Sequence, residues 1–191
     1  MEEDDIAPMT PSDEMLEFFY DRTHRHIALV GKYCERILNH DGLYHGIMDL
    51  AEVHDASKFC YPELDPYVWL TWKYKIQAEG MELAVPMGMA EKMNAVTEHH
   101  IKCNMHHPDY FDMAPARLNQ DNRDEPPDTI VDATRMPVLY VAEMVADWCA
   151  VSEERGNTPM DWIDKNVGIR WKFDINQTGR IKDLTHAIWE E

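Results

Sequence analysis

Cysteine and basic residues are both scarce in this 191-residue chain. The only cysteines are Cys34, Cys60, Cys103 and Cys149. Their wide spacing contains no C-x-x-C pair, which argues against a disulfide framework and against a zinc ribbon. Lysine and arginine total 18 against 36 aspartates and glutamates, which gives a net charge of −18. Because such a surface repels polyphosphate, we expect no long nucleic acid as a partner, whereas a small anionic substrate remains open if a bound metal reverses the field locally.

The chain also lacks the run of about 18 apolar residues that a membrane-spanning helix requires. Its first residues, MEEDDIAPMT, are acidic and contain no apolar stretch of the kind found in signal peptides. Together with the reduced cysteines, these absences predict a cytoplasmic protein without a membrane partner. Homo-oligomerisation is left open.

What the chain does contain is a helical pattern of apolar residues through most of its length. The predicted helices cover residues 10–38, 43–58, 62–80, 87–103, 137–155, 159–167 and 178–189. The fifth is apolar on most sides, which predicts a central position. The pattern therefore predicts an all-α protein with a single domain over residues 12–191, after a flexible acidic segment of residues 1–11.

Residues 104–136 interrupt this pattern with prolines, asparagines and acidic residues. A segment of that length without regular structure is commonly functional or mobile. We predict that it forms a lid or pocket wall that brings His106, His107 and Tyr110 towards a substrate. The alternative is a disordered acidic connector.

Histidines and acidic residues fall on the inner faces of the predicted helices. His26 continues the apolar stripe of the first helix, whereas His24 is rotated about 200° away and points outward. His54 and His100 extend the apolar stripes of the second and fourth helices. Asp147 lies on an apolar face of the fifth predicted helix, four residues after Glu143. Buried groups of this kind are costly unless they are hydrogen-bonded or bind a ligand.

A metal site explains these coincidences better than separate core residues do. A lone histidine on an apolar face is usually a hydrogen-bonded core residue, but here four predicted helices each direct a histidine or carboxylate inward. Nitrogen and carboxylate ligands without thiolate suit Mn, Fe, Co, Ni or Zn, and the sequence does not choose among them.

Four segments of the chain resemble the HD-domain superfamily of metal-dependent phosphohydrolases, and an HD-like family of bacteria and their phages. They are THRH at 23–26, HDASKF at 54–59, HHIKCNMHHPDY at 99–110 and MPVLYVAEMVADW at 136–148. The resemblance covers most of residues 20–150 and implies an HD-domain-like helical bundle. It also implies that one divalent metal is held by His26, His54, Asp55 and Asp147.

The resemblance implies further roles at less certain positions. Lys58 matches a lysine that contacts phosphate or activated water in some branches, although a surface lysine ending a helix is the alternative. In two-metal branches, extra histidines would give a second site formed by His100 with His106 or His107. Because those branches separate the two histidines much more widely, His106 and His107 are alternatively placed in the substrate pocket.

The expected activity is hydrolysis of a nucleotide or another small phosphate ester at one divalent ion, with a second ion as an alternative. Lys58 or Glu143 is expected to handle the proton. The residues predicted to bind the substrate are His106, His107, Lys102 and Tyr110. Two other functions remain open: a di-iron oxygenase on the same fold, and a nucleotide-binding regulator that keeps a structural metal without turnover.

Overall fold

The structure is a computed structural model that describes residues 10–114 and 125–189. Its α-helices are α1 (Asp13–His40), α2 (Ile47–Val53), α3 (Leu64–Ala78), α4 (Met89–Cys103), α5 (Val138–Arg155), α6 (Pro159–Asn166) and α7 (Ile175–Trp189). Within the described ranges, the only strands are β1 (Val131–Asp132) and β2 (Trp171–Lys172), which pair in parallel. The predicted all-α class is confirmed. No helix in these ranges is long and apolar enough to cross a membrane.

Side chains at the helix ends explain several of these boundaries. The Ser12 hydroxyl accepts a hydrogen bond from the Met15 amide at 3.3 Å, and acidic residues occupy the first turn of α1. Thr158 caps α6 in the same way, with Pro159 in the first turn. Gly156 ends α5 with a φ of 66°, a left-handed conformation that glycine adopts without strain.

The prediction of one continuous helix over 43–58 is wrong. The segment divides into a 3-10 helix at Gly42–Tyr44, then α2, then a second 3-10 helix at Ala56–Phe59. Gly46 precedes α2 with a φ of 96°, which breaks the helical path before Ile47. His54 ends α2 in an extended conformation, and Asp55 follows with a left-handed φ of 58°. The His-Asp doublet therefore lies in a turn and not on a helix.

The chain forms two compact units. Of the described residues, unit 1 contains 10–24 and Ala56–His100, and unit 2 contains Arg25–Asp55, 101–114 and 125–189. The core of unit 1 is formed by residues of α1, α3 and α4, among them Phe19, Val68 and Met89.

The core of unit 2 is centred on α5. Most residues of this helix between Val141 and Ala150 are fully buried, as the apolar sequence predicted. The buried faces of α1, α2, α6 and α7 contribute further residues, and the core is completed by Tyr44, Val131, Met136 and Trp171. Because this middle part of α5 is enclosed, a polar side chain on it is removed from water and needs a partner.

Candidate metal centre

Four side chains of unit 2 converge at the positions that the resemblance implied. His26 Nε2 lies 3.1 Å from Asp147 Oδ1 and 3.8 Å from Asp55 Oδ2. His54 Nε2 lies 3.9 Å from Asp55 Oδ2 and 4.0 Å from Asp147 Oδ1. With metal–ligand distances of about 2.1 Å, ligand atoms around one ion lie about 3–4 Å apart. The spacing of these four side chains therefore fits one divalent ion.

The burial of His54 supports this assignment. Its side chain is fully enclosed, and its Nε2 has no hydrogen-bond partner among the described residues. A buried polar atom of this kind costs free energy unless it binds something. The carboxylates of Asp55 and Asp147 lie near this nitrogen, at 3.9 and 4.0 Å, so a cation between the three groups would satisfy all of them.

Different local structures present the four candidate ligands. His26 lies on the inner face of α1, while His24 is exposed, so the predicted orientation of both histidines is confirmed. Asp55 reaches the site from a left-handed backbone conformation that aspartate tolerates better than most residues do. Asp147 comes from the enclosed helix α5.

Two glutamates of α5 lie behind the candidate histidine ligands. Glu143 Oε1 lies 3.0 Å from His54 Nδ1, and Glu154 Oε2 lies 3.5 Å from His26 Nδ1. A carboxylate at Nδ1 favours a proton on that nitrogen, so the lone pair lies on Nε2, which faces the candidate site. Glu154 was not among the predicted site residues, although its position seven residues after Asp147 puts both on one face of α5.

Glu143 contacts His54, and its predicted role in proton transfer stays a prediction. It was predicted to handle a proton during catalysis, but its carboxylate is 95% enclosed and contacts the far side of the His54 ring. From there it acts on the candidate centre through the orientation and tautomer of His54.

His106 also lies close to the candidate ligands His54 and Asp55. Its ring centroid lies 4.2 Å from that of His54, and its Nε2 lies 3.7 Å from Asp55 Oδ1. His54, His106 and Asp147 form a second set of ligand atoms close enough to share an ion. His106 is therefore a candidate ligand, whereas the ring of His107 packs 4.2 Å behind it.

Charged neighbours strongly affect protonation in the candidate centre. Burial opposes protonation of His26, but the carboxylates of Asp147 and Glu154 outweigh it and raise the pKa of His26 to about 9. Burial also opposes ionisation of Asp147, yet contact with His26 holds its pKa below the ordinary range. Burial, reinforced by His107 and His54, lowers the pKa of His106 well below its usual value. Asp147 is thus ionised and His106 is neutral, the protonation states that metal ligands require, whereas His26 is protonated without a metal and would release a proton on binding one.

The substrate role of Lys102 stays a prediction, and the structure shows its ammonium in contact with the protein backbone. Its Nζ donates hydrogen bonds to the backbone carbonyls of Asp109, Asp112 and Ala114, at 2.8, 2.7 and 2.6 Å. These bonds use all three N–H groups of the ammonium. Lys102 therefore holds the backbone of the loop that follows α4.

Three further predicted site residues have other neighbours within their own units. In unit 1, His100 Nδ1 lies 2.9 Å from Glu63 Oε2, and Lys58 Nζ lies 5.2 Å from the ring centroid of Tyr67. Tyr110, in unit 2, is 39% exposed and packs edge-on against Phe111. The metal role of His100, the phosphate role of Lys58 and the substrate role of Tyr110 stay predictions.

The predicted lid is described only in part. Residues 104–114 include a 3-10 helix at Pro108–Phe111, and β1 lies within the second half of the segment. Residues 104–114 carry His106 and His107. They accept hydrogen bonds from Lys102 and from Arg135, which donates to the Phe111 carbonyl. Residues 115–124 lie outside the described part of the chain.

A comparison with protein-family models finds a family whose model matches most of this chain. The matched region is residues 15–190, which includes every residue of the candidate centre. The chain belongs to the family of unknown function DUF5662. No curated protein and no solved structure matches the chain. The chemistry of this DUF5662 member must therefore be argued from its own residues.

Proposed function

We propose that this protein is a metal-dependent hydrolase of a nucleotide or another small phosphate ester, with an HD-type centre. The observation that carries the proposal is that His26 and His54 each lie within about 4 Å of the carboxylates of both Asp55 and Asp147, the separation expected of ligands around one divalent ion. Along the chain these residues form one histidine, then a His-Asp doublet, then an aspartate, which are the ligand positions that the resemblance to the HD-domain superfamily implied.

The donor set suits hydrolysis of a phosphate ester. When bound, a divalent ion of the Mn, Fe, Co, Ni or Zn series supplies Lewis acidity to a phosphoryl oxygen and makes a bound water more acidic. Two histidines and two carboxylates leave room for both oxygen atoms in a six-coordinate shell. Glu143 contacts His54 Nδ1 at 3.0 Å and so supports the orientation of that ring with Nε2 facing the centre, and Glu154 lies 3.5 Å from His26 Nδ1.

Charge explains why such a reaction would depend on metal. The carboxylates of the site are those of Asp55, Glu143, Asp147 and Glu154. Without a cation, this concentration of negative charge would repel a phosphate group. The net charge of −18 extends the repulsion to long polyanions, so the proposal is restricted to small esters.

The test is a metal-reconstitution and substrate screen. The purified protein is stripped with chelator, reloaded separately with Mn, Fe, Co, Ni or Zn, and incubated with nucleoside mono-, di- and triphosphates. We expect release of phosphate or pyrophosphate with at least one metal. Asp147→Asn should remove that activity, while His24→Ala, which changes an exposed histidine on the same helix as His26, should keep it. Metal-replete protein that releases neither product from any nucleotide would refute the hydrolase.

A di-iron oxygenase is the second candidate, because His106 forms an additional ligand group with His54 and Asp147. Two irons per chain and oxygen consumption after reduction would favour it over the hydrolase. Recovery of an intact, tightly bound nucleotide after long incubation would instead favour a regulatory protein.

A further inference from the structure

The three backbone hydrogen bonds of Lys102 close a loop that contains His106 and His107. Lys102 lies in the last turn of α4, and its acceptors are the carbonyls of Asp109, Asp112 and Ala114. Hydrogen bonds from an ammonium are stronger than those between neutral groups. Because the acceptors lie 7, 10 and 12 residues further along the chain, the lysine joins both ends of this loop.

The far end of the loop is fixed independently of Lys102. The Trp171 indole donates to the buried carboxylate of Asp109 at 3.0 Å, and the Asp132 amide donates to Asp112 Oδ2 at 3.0 Å. Arg135 donates to the Phe111 carbonyl at 2.7 Å. These contacts connect the loop to β1, to β2 and to the segment before α5. Lys102 is the connection to α4.

His106 lies midway along this loop, where its ring packs against His54 and its Nε2 faces Asp55. It lies four positions after Lys102, so a change in how the loop leaves α4 would move the imidazole. A shift of about 1 Å is sufficient to disturb a coordination shell or a catalytic geometry.

We propose that Lys102 is a positioning residue of the candidate metal centre: it closes the loop from Lys102 to Ala114 and thereby holds His106 against His54 and Asp55. The proposal rests on the metal centre of the proposed function but not on its phosphate chemistry. It accounts for a partly buried lysine whose three N–H groups meet backbone oxygens and no carboxylate.

The test uses Co(II) as a spectroscopic probe of the full-length protein. Lys102→Met keeps the length of the side chain and removes the three donors. We expect its Kd for Co(II) to rise about 10- to 100-fold, as when outer contacts of other metal sites are removed. The visible absorption of the bound Co(II) should change towards that of His106→Ala. Lys172→Met, which changes an exposed lysine paired with Asp132, should keep the wild-type affinity and spectrum.

A double-mutant cycle separates positioning from a general loss of stability. If Lys102 acts through His106, then Lys102→Met should weaken Co(II) binding little further in a His106→Ala background. Lys102→Gln retains two N–H donors, so it should fold if Lys102→Met does not, and it should show a smaller loss of affinity in the same cycle.

Three outcomes would overturn the proposal. If Lys102→Met and Lys102→Gln both keep the wild-type Co(II) affinity and spectrum, Lys102 does not affect the metal centre. If the losses of affinity add in the double mutant, Lys102 does not act through His106. Absence of Co(II) binding by the wild-type protein would overturn both the positioning role and the proposed function. A positive cycle in a protein that hydrolyses no nucleotide would support the positioning role while refuting the hydrolase.

Discussion

Glu143 Oε1 lies 3.0 Å from His54 Nδ1, and both side chains are almost fully buried. The carboxylate can accept a hydrogen bond from Nδ1–H, so this contact favours the tautomer of His54 that carries its proton on Nδ1. The consequence is that His54 presents Nε2, and not Nδ1, towards Asp55 and Asp147.

Replacing Glu143 by glutamine should therefore weaken metal binding. The amide keeps the volume of the side chain but loses the charge that holds the proton on His54 Nδ1. We expect the Kd for Co(II) or Mn(II) to rise about 10- to 100-fold, measured by titration. Glu153→Gln, a partly exposed change on the same helix, provides the control. Unchanged metal affinity with loss of hydrolysis would instead support the proton-transfer role predicted from the sequence.

His26 and His24 provide a comparison within one helix. His26 contacts two candidate carboxylate ligands, whereas the exposed His24 stacks on Phe59 at a centroid distance of 5.2 Å. His26→Ala should reduce the metal content of reconstituted protein to well below one ion per chain. His24→Ala should leave the metal content unchanged. Elemental analysis of the two variants, loaded in parallel, measures the difference, and equal metal content would remove His26 from the ligand set.

Helix periodicity explains which parts of this arrangement could be predicted. His26 and Asp147 lie on long, regular helices, where a repeat of 3.6 residues determines the face that a side chain occupies. The same reasoning failed at residues 43–58. Leu43, Ile47 and Leu50 are spaced as on one helix, yet the left-handed Gly46 and Asp55 divide the segment into three short pieces.

The parts of the site that could not be predicted depend on contacts between residues far apart in the sequence. Glu154 lies near the end of α5 beside other charged residues, so nothing local distinguishes it from a solvent-facing glutamate. Because a lysine near candidate ligands favours a role in anion binding, the sequence predicts that Lys102 binds substrate. Its actual acceptors are backbone carbonyls, which every residue has, so no sequence pattern could indicate them.

The left-handed backbone of Asp55 predicts different effects for two substitutions. Asp55→Asn and Asp55→Ala should both lose metal, because each removes the carboxylate. Without metal, the asparagine variant should be more stable than the alanine variant by about 1 kcal/mol, since asparagine tolerates a φ near 58° better than alanine does. Urea unfolding of the two metal-free proteins measures this difference. Equal stability would indicate that Asp55 leaves this conformation when metal is absent.

Glu63 of unit 1 predicts a dependence of stability on pH that is separate from the four converging ligands. Its fully buried carboxylate accepts a hydrogen bond from Ser57 at 2.9 Å, and its two oxygens lie 2.7 and 2.9 Å from the Nδ1 atoms of His99 and His100. Burial alone would raise the pKa of Glu63, but His100, His99 and Ser57 outweigh it and lower the pKa below the ordinary value.

A carboxyl group whose pKa is lower in the folded protein stabilises the fold fully above its unfolded pKa, and this contribution is lost as the pH falls through the folded pKa. Glu63→Gln should therefore lower the free energy of unfolding by about 1–3 kcal/mol at neutral pH, because one carboxylate acceptor becomes an amide donor facing buried donors. The difference from wild type should shrink below about pH 4, where the unfolded carboxyl begins to protonate. Chemical denaturation of both proteins from pH 3 to 7, with the exposed Glu82→Gln as control, tests this. A difference that is constant across this range would mean that shape, and not charge, accounts for the contribution of Glu63.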